Sequence, residues 1–200
     1  LRVAHNGYHN ALGLPRWATD VVLVLLSPLM MLPLHAVKVT HLEHHKHCLG
    51  EADIEGEAGR KSFWGVLGYG PRFPIDVMRA AWRVGGLHIR WRMAIEIGLI
   101  AGLWIAAIAT SWPALVYHAV AMTAGECFTA FFAVWVVHHG TEHHVYPART
   151  QRGWLKNRIS YSMFLHAEHH LFPSVPTFRL GELARRLDRV APEVAAKQVI

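Results

Sequence analysis

Sixteen of the 200 residues are histidine, and most of them fall into four short words. His5-Asn-Gly-Tyr-His9 spaces two imidazoles at i, i+4, which on a helix puts both on one face. His41-Leu-Glu-His44-His45 and His166-Ala-Glu-His169-His170 share the form H-x-E-H-H. Positions i, i+3 and i+4 lie along one helical face, so each word is expected to aim three imidazoles at a common point. The remaining word, His138-His139-Gly-Thr-Glu-His143-His144, holds four histidines, and spacing alone does not select among them. His35, His47, His88 and His118 stand outside these words and read as core or surface histidines.

Imidazole is a borderline ligand that suits iron, zinc, copper and nickel. A cluster with no cysteine and few carboxylates excludes an iron–sulfur centre and disfavours a magnesium or calcium site. Two, three, three and at least one ligand amount to about nine, too many for one tetrahedral ion; they imply two metals, each with about four or five nitrogens and some coordination left open. The sequence has no H-E-x-x-H protease helix, G-x-S-x-G elbow, P-loop or G-x-G-x-x-G fingerprint. Iron with open positions at a membrane surface points to oxygen chemistry. Glu43, Glu168, Asp53 and Glu55 are close enough in sequence to the two triplets to orient imidazoles by accepting their second N–H.

The elements that must carry these words are apolar. The chain is 52% hydrophobic and only 17% charged, with a net charge of +6, which disfavours disorder and points to a membrane. The length allows one domain over 1–200. From Met93 to Val137 the only charges are Glu96 and Glu126, and Ser111-Trp112-Pro113 divides the run. It reads as two membrane spans, Met93 to Thr110 and Ala114 to Val137, joined by a tight turn into a hairpin. Nine Lys or Arg lie between Lys38 and Arg92 and nine between Arg149 and Lys197, with none in the turn. Both polar segments are therefore expected on the cytoplasmic side.

A third apolar run, about 18–37, carries Asp20 and is interrupted by Pro28 and Pro33. A full crossing would separate His5 and His9 from His41 to His45, so an interfacial or re-entrant segment is expected if those histidines share a site. Arg179 to Val190 has the spacing of a basic amphipathic helix, either on the membrane surface or as a plain terminal helix. Two cysteines, Cys48 and Cys127, exclude a disulfide framework. With Leu1 first and His5 already in a motif, the start reads as a truncation. The fold class expected is all-α: a multi-pass transmembrane helical protein with a cytoplasmic histidine-rich metal-binding cap.

One H-x-x-x-H box, two H-x-x-H-H boxes and an apolar hairpin between the second and third together resemble the membrane fatty-acid desaturase superfamily. HLEHH and His166-to-Pro176, HAEHHLFPSVP, look like its bacterial members. The resemblance covers nearly the whole chain. It implies a non-haem di-iron centre on the cytoplasmic side that activates O2 and abstracts hydrogen from an unactivated C–H bond, giving a fatty acyl desaturase. Carried over by position, the ligands implied are His5, His9, His41, His44, His45, His166, His169 and His170, with His138 completing the set and His139 as runner-up. Two iron ions are the implied cofactors, with zinc a known substitute on expression. The implied partners are a lipid substrate, the membrane and an external electron donor of ferredoxin, rubredoxin or cytochrome b5 type, with no nucleic acid. Val134 stands where some members carry an asparagine, one turn before the isolated histidine.

The same boxes also serve a carotenoid ketolase, a hydroxylase or an alkyl hydroxylase. A non-catalytic membrane metal-binding or transport protein would instead place polar ligands within the spans, where only His118 and Glu126 are found.

Overall fold

A computed structural model describes residues 1–141 and 147–196, so His143, His144 and Lys197 lie outside the described residues. In chain order the helices are α1 (Arg2–Tyr8), α2 (Arg16–Met30), α3 (Leu34–His47), α4 (Gly56–Gly59), α5 (Phe63–Tyr69), α6 (Phe73–Val84), α7 (Leu87–Thr110) and α8 (Pro113–Glu126). A π-helical turn (Ala130–Trp135) runs into α9 (Val136–His138), and α10 (Trp154–Ile159), α11 (His166–Leu171) and α12 (Leu180–Val190) follow. The regular structure among the described residues is helical, as an all-α chain requires.

α7 is 24 residues long, about 36 Å at 1.5 Å per residue, more than the roughly 30 Å of a hydrocarbon core. It starts at Leu87 rather than Met93, since Gly86 ends the preceding segment and Arg90 and Arg92 are good helix formers. Its C-terminus is closed by Ser111 in the left-handed region (φ 50°), after which Trp112 is extended and Pro113 opens α8. The expected second span is not one straight helix: the axis bends by 43° between Pro113–Glu126 and Ala130–His138. Exposed apolar side chains run along α7 and α8, among them Trp91, Ile105, Ile108, Tyr117 and Val120. An outward apolar surface of this kind suits lipid rather than water.

The run at 18–37 forms two helices that meet at 109°. Pro28 does not break α2, contrary to its expected role. The corner falls at Met31, which takes a left-handed conformation (φ 54°), and Pro33 becomes the extended residue before α3. The Ser27 hydroxyl fixes the corner by donating to the Leu23 carbonyl (2.9 Å) and accepting the Leu34 N–H (3.1 Å). The 15 residues of α2 extend about 22 Å, too short to cross the core unaided.

The charges inside the apolar runs are paired. Glu96 of α7, fully buried, accepts the backbone N–H of His35 (3.1 Å) and its Nδ1–H (2.6 Å). Asp20 of α2 meets Lys38 at 3.1 Å, Arg92 at 2.9 Å and His35 Nε2 at 3.3 Å. Three helices are thus tied at one junction, which fixes the direction in which α3 leaves the corner. The main apolar core joins α3, α5, α6, α7 and the π turn through Ala36, Val66, Phe73, Val77, Met93 and Val134.

α12 buries Leu180 and Ala184 against Leu165, with Val175 alongside. Its apolar face is therefore occupied by protein and is not free to enter a membrane surface.

Candidate metal centre

The four histidine words converge. α1 carries His5 and ends at His9, α3 carries His41, His44 and His45, α9 ends at His138, and α11 carries His166, His169 and His170. Ring nitrogens of His5, His9, His41 and His169 form one group, and those of His44, His138, His166 and His170 a second, each with all members within 4.8 Å of one another. His45 adds to the first group: its Nε2 lies 3.2 Å from that of His41 and 2.9 Å from that of His169.

Neither triplet aims at a single point, contrary to the expectation from spacing. His41 and His45 face the first group and His44 the second; His166 and His170 face the second group and His169 the first. The reason is helical pitch. Residues i and i+4 are offset by about 40° and i+3 by about 60° the other way, so a triplet crowded between two centres gives its outer pair to one and its middle residue to the other.

The tautomers show why a cation fits between these rings. His44 Nδ1–H donates to Asp53 (2.7 Å), and His138 Nδ1–H donates to the Pro147 carbonyl (2.6 Å). In neutral rings the proton is then on Nδ1, so both Nε2 atoms carry lone pairs, and these face each other at 3.0 Å. The contacts His138–His166 (2.9 Å) and His166–His170 (3.1 Å) continue the same crowding of Nε2 atoms. Two nitrogens bound at right angles to one ion at about 2.0–2.1 Å would stand about 3 Å apart. Burial, and then the neighbouring histidines, hold His5, His166 and His170 well below the usual imidazole range, which keeps their lone pairs available. Both ring nitrogens of His5 and Nε2 of His9 are buried without a hydrogen-bond partner, a costly state for the free group and the proper state for a ligand.

Carboxylates behind the rings orient them. Asp53 accepts from His44 and also from the backbone N–H groups of Leu49 (2.8 Å) and Gly56 (2.9 Å). Burial raises its pKa, but these hydrogen bonds hold it below the ordinary carboxylate range. A side chain at Gly56 would put Cβ 2.2 Å from the Asp53 carboxylate, so glycine is required for this close approach. Glu55 accepts His41 Nδ1–H (3.1 Å) and the Thr40 hydroxyl (2.7 Å), and burial pushes it up to about 7.

The other two candidate orienters act elsewhere. Glu43 is on the surface with Lys46 and His47, because it sits on the opposite side of α3 from the rings. Glu168 is fully buried but meets Arg152 (2.7 Å) and the Thr150 hydroxyl (2.6 Å) rather than an imidazole. His139 turns away from both groups, donating from Nδ1 to the Gly59 carbonyl (3.0 Å) and stacking on Trp135. His35 belongs to the buried ionic junction, and His47 to the surface.

An apolar cavity of ≈ 90 Å³ opens against both groups. His5, His41, His44 and His166 contribute to its wall, with Leu34, Val37, Phe73, Val77 and Val134 providing hydrocarbon surface. Val134 lies in this wall and offers no ligand. The π turn that contains it lengthens the run before His138 by one residue per turn, and Gly59 packs 3.2 Å (from a notional Cβ) against His138 Cβ. Sequence reading missed this cavity and the ends of the helices that build it. Its walls come from residues far apart in the chain, and no local pattern marks them.

No curated protein and no solved structure matches the chain. A family model described as fatty acid desaturase matches it over residues 1–199.

Proposed function

Because the chain belongs to the fatty acid desaturase family, we propose that it is an oxygen-dependent membrane oxidoreductase that desaturates a fatty acyl lipid. His5, His9, His41, His45 and His169 would hold one iron, and His44, His138, His166 and His170 the other. When bound, the two irons supply activation of O2 for hydrogen abstraction from an unactivated C–H bond. The overall reaction joins two hydrogens of the substrate, two electrons and two protons to O2, giving a carbon–carbon double bond and two waters.

The chain's own residues have separable tasks. Asp53, Glu55 and the Pro147 carbonyl hold three imidazoles in the Nδ1–H tautomer, which aims Nε2 inward. Leu34, Val37, Phe73, Val77 and Val134 line a mostly apolar cavity beside both histidine groups, which suits a hydrocarbon chain and, once filled by it, would exclude water from the reacting carbons.

The carrying observation is the nine-histidine constellation split into two groups beside an apolar cavity. The membrane disposition proposed with it is multi-pass, with α7 and α8 as a hairpin, α2 and α3 as a re-entrant pair, and the histidines on the cytoplasmic side; the Lys and Arg distribution supports that side. Electrons would come from an external carrier of ferredoxin, rubredoxin or cytochrome b5 type.

The test is expression of the complete gene product with a reducing system, followed by lipid and pigment profiling. New double bonds in host acyl chains are expected. An unchanged acyl profile with oxygenated carotenoids or alcohols formed instead would replace desaturation with ketolation or hydroxylation at the same centre.

A further inference from the structure

The reaction proposed above draws electrons from outside the chain, and α12 carries exposed charge close to the histidine-bearing elements. α12 packs its apolar side, Leu180 and Ala184, beside Leu165 at the start of α11, the helix that carries His166, His169 and His170. Helices in contact lie about 8–10 Å apart, axis to axis. The opposite side of α12 presents Glu182, Arg185, Arg186 and Arg189, a stripe at i, i+3, i+4 and i+7, all exposed. Arg186 pairs with Glu182. Among the described residues Arg185 and Arg189 make no ion pair with a carboxylate, so two cations face outward unneutralised.

α12 is also joined to the histidine helix by a continuous ionic chain. Asp188 takes a bidentate contact from Arg152 (Nη2 2.7 Å, Nε 3.1 Å), and the same guanidinium reaches Glu168 of α11 through Nη1 (2.7 Å). Glu168 is flanked in sequence by the ligand candidates His166 and His169. The outward arginines thus stand on an element tied by this ionic chain to the helix that carries His166, His169 and His170.

We propose that the Arg185–Arg189 face of α12 is the docking surface for an acidic one-electron carrier protein, which delivers two electrons in successive encounters; this rests on the oxidoreductase reading above. An anionic lipid surface is the other partner that arginines attract. It is disfavoured here because the apolar side that would enter the membrane with them is already buried in protein.

The complete protein, iron-loaded in zwitterionic lipid nanodiscs, provides the test, with a reduced acidic [2Fe–2S] ferredoxin as the probe. Carrier affinity is read by surface plasmon resonance across a salt series, and product is read in parallel with ferredoxin as reductant or in a single turnover after anaerobic reduction by dithionite, removal of the excess and admission of O2. Arg185→Glu/Arg189→Glu is expected to weaken ferredoxin binding about tenfold and flatten its salt dependence, with dithionite-driven product unchanged and Arg185→Lys/Arg189→Lys restoring binding. Unaltered ferredoxin affinity in the Glu variant would overturn the proposal, as would an effect confined to nanodiscs containing anionic lipid. Absence of product from the parent protein with dithionite would instead refute the oxidoreductase reading, while the binding measurement still reports on the surface.

Discussion

Nε2 of His169 lies 2.9 Å from Nε2 of His45, although 124 positions separate them in the chain. This contact crosses the two triplets: the middle histidine of α11 joins the outer pair of α3, while His44, the middle histidine of α3, lies 3.3 Å from His170 of α11. α3 and α11 therefore each bridge both groups, so the placement of these two helices shapes both sites.

The groups differ in redundancy, so metal ions held there are expected to differ in sensitivity to loss of one ligand. The first has five nitrogens with His45 included, and the second has four. His45→Ala leaves four in place, whereas His138→Ala leaves three. Metal analysis of purified protein is expected to show His45→Ala retaining about two ions per chain and His138→Ala falling to about one, with turnover lost in both. Equal metal loss in the two variants would contradict the division into groups.

Asp53 and Glu43 are both acidic neighbours of the His41–His45 triplet, but only Asp53 touches a candidate ligand; Glu43 meets Lys46 and His47. Asp53→Asn replaces a charged acceptor of His44 Nδ1–H with an amide and should reduce metal affinity or turnover by about 10–100-fold. Glu43→Gln, on the exposed side of α3, should change neither. Titration with a competing chelator measures the first effect, and turnover at saturating iron measures the second.

The ionic junction offers a test of how α3 is held. Glu96 is buried in contact with His35 through two hydrogen bonds. Removing one partner of a buried hydrogen bond leaves the other unsatisfied at a cost of about 1–3 kcal/mol. Glu96→Ala should accordingly lower the unfolding midpoint in detergent, and the double variant His35→Leu/Glu96→Leu should recover part of the loss. A single variant as stable as the parent would show that the junction does not anchor the corner between α2 and α3.

Much of the site was legible in the sequence because its information is local. A triplet such as His166, His169 and His170 displays its helical face within five residues, and the search for a partner acid near His44 reaches Asp53 within the following loop. The α7–α8 turn at Ser111-Trp112-Pro113 was likewise marked by its own residues. What spacing could not supply was the direction of each ring once two centres compete for one helix. That depends on where α1 and α11 arrive, and their arrival is set by tertiary packing. Pro28 failed as a boundary for the same reason: the corner that Ser27 makes with Leu34 sets the end of α2. Glu168 failed as an orienter because Arg152, distant from it by local spacing rules, captures its carboxylate.

The cavity supplies the last test, since it separates substrate placement from metal binding. Val77 belongs to α6, which carries no candidate ligand, yet its side chain lines the cavity with His5, His41, His44 and His166. It is also buried in the main core. Val77→Phe adds a ring to a space of ≈ 90 Å³, so a hydrocarbon chain would be displaced from the reacting position; a displacement of about 1 Å can lower the rate by about 100-fold. The overpacking itself costs about 1–3 kcal/mol, less than the stability of a typical domain, so the variant is expected to fold and to keep its full metal content. Turnover on long acyl chains should fall about 10- to 100-fold, whereas Val77→Ala, which enlarges the same space, should shift the preference between chain lengths with little loss of metal. Product profiling across a series of chain lengths, with metal measured on the same samples, distinguishes these outcomes. Parallel loss of metal and turnover in Val77→Phe would assign this wall to the support of the histidines instead of to the substrate.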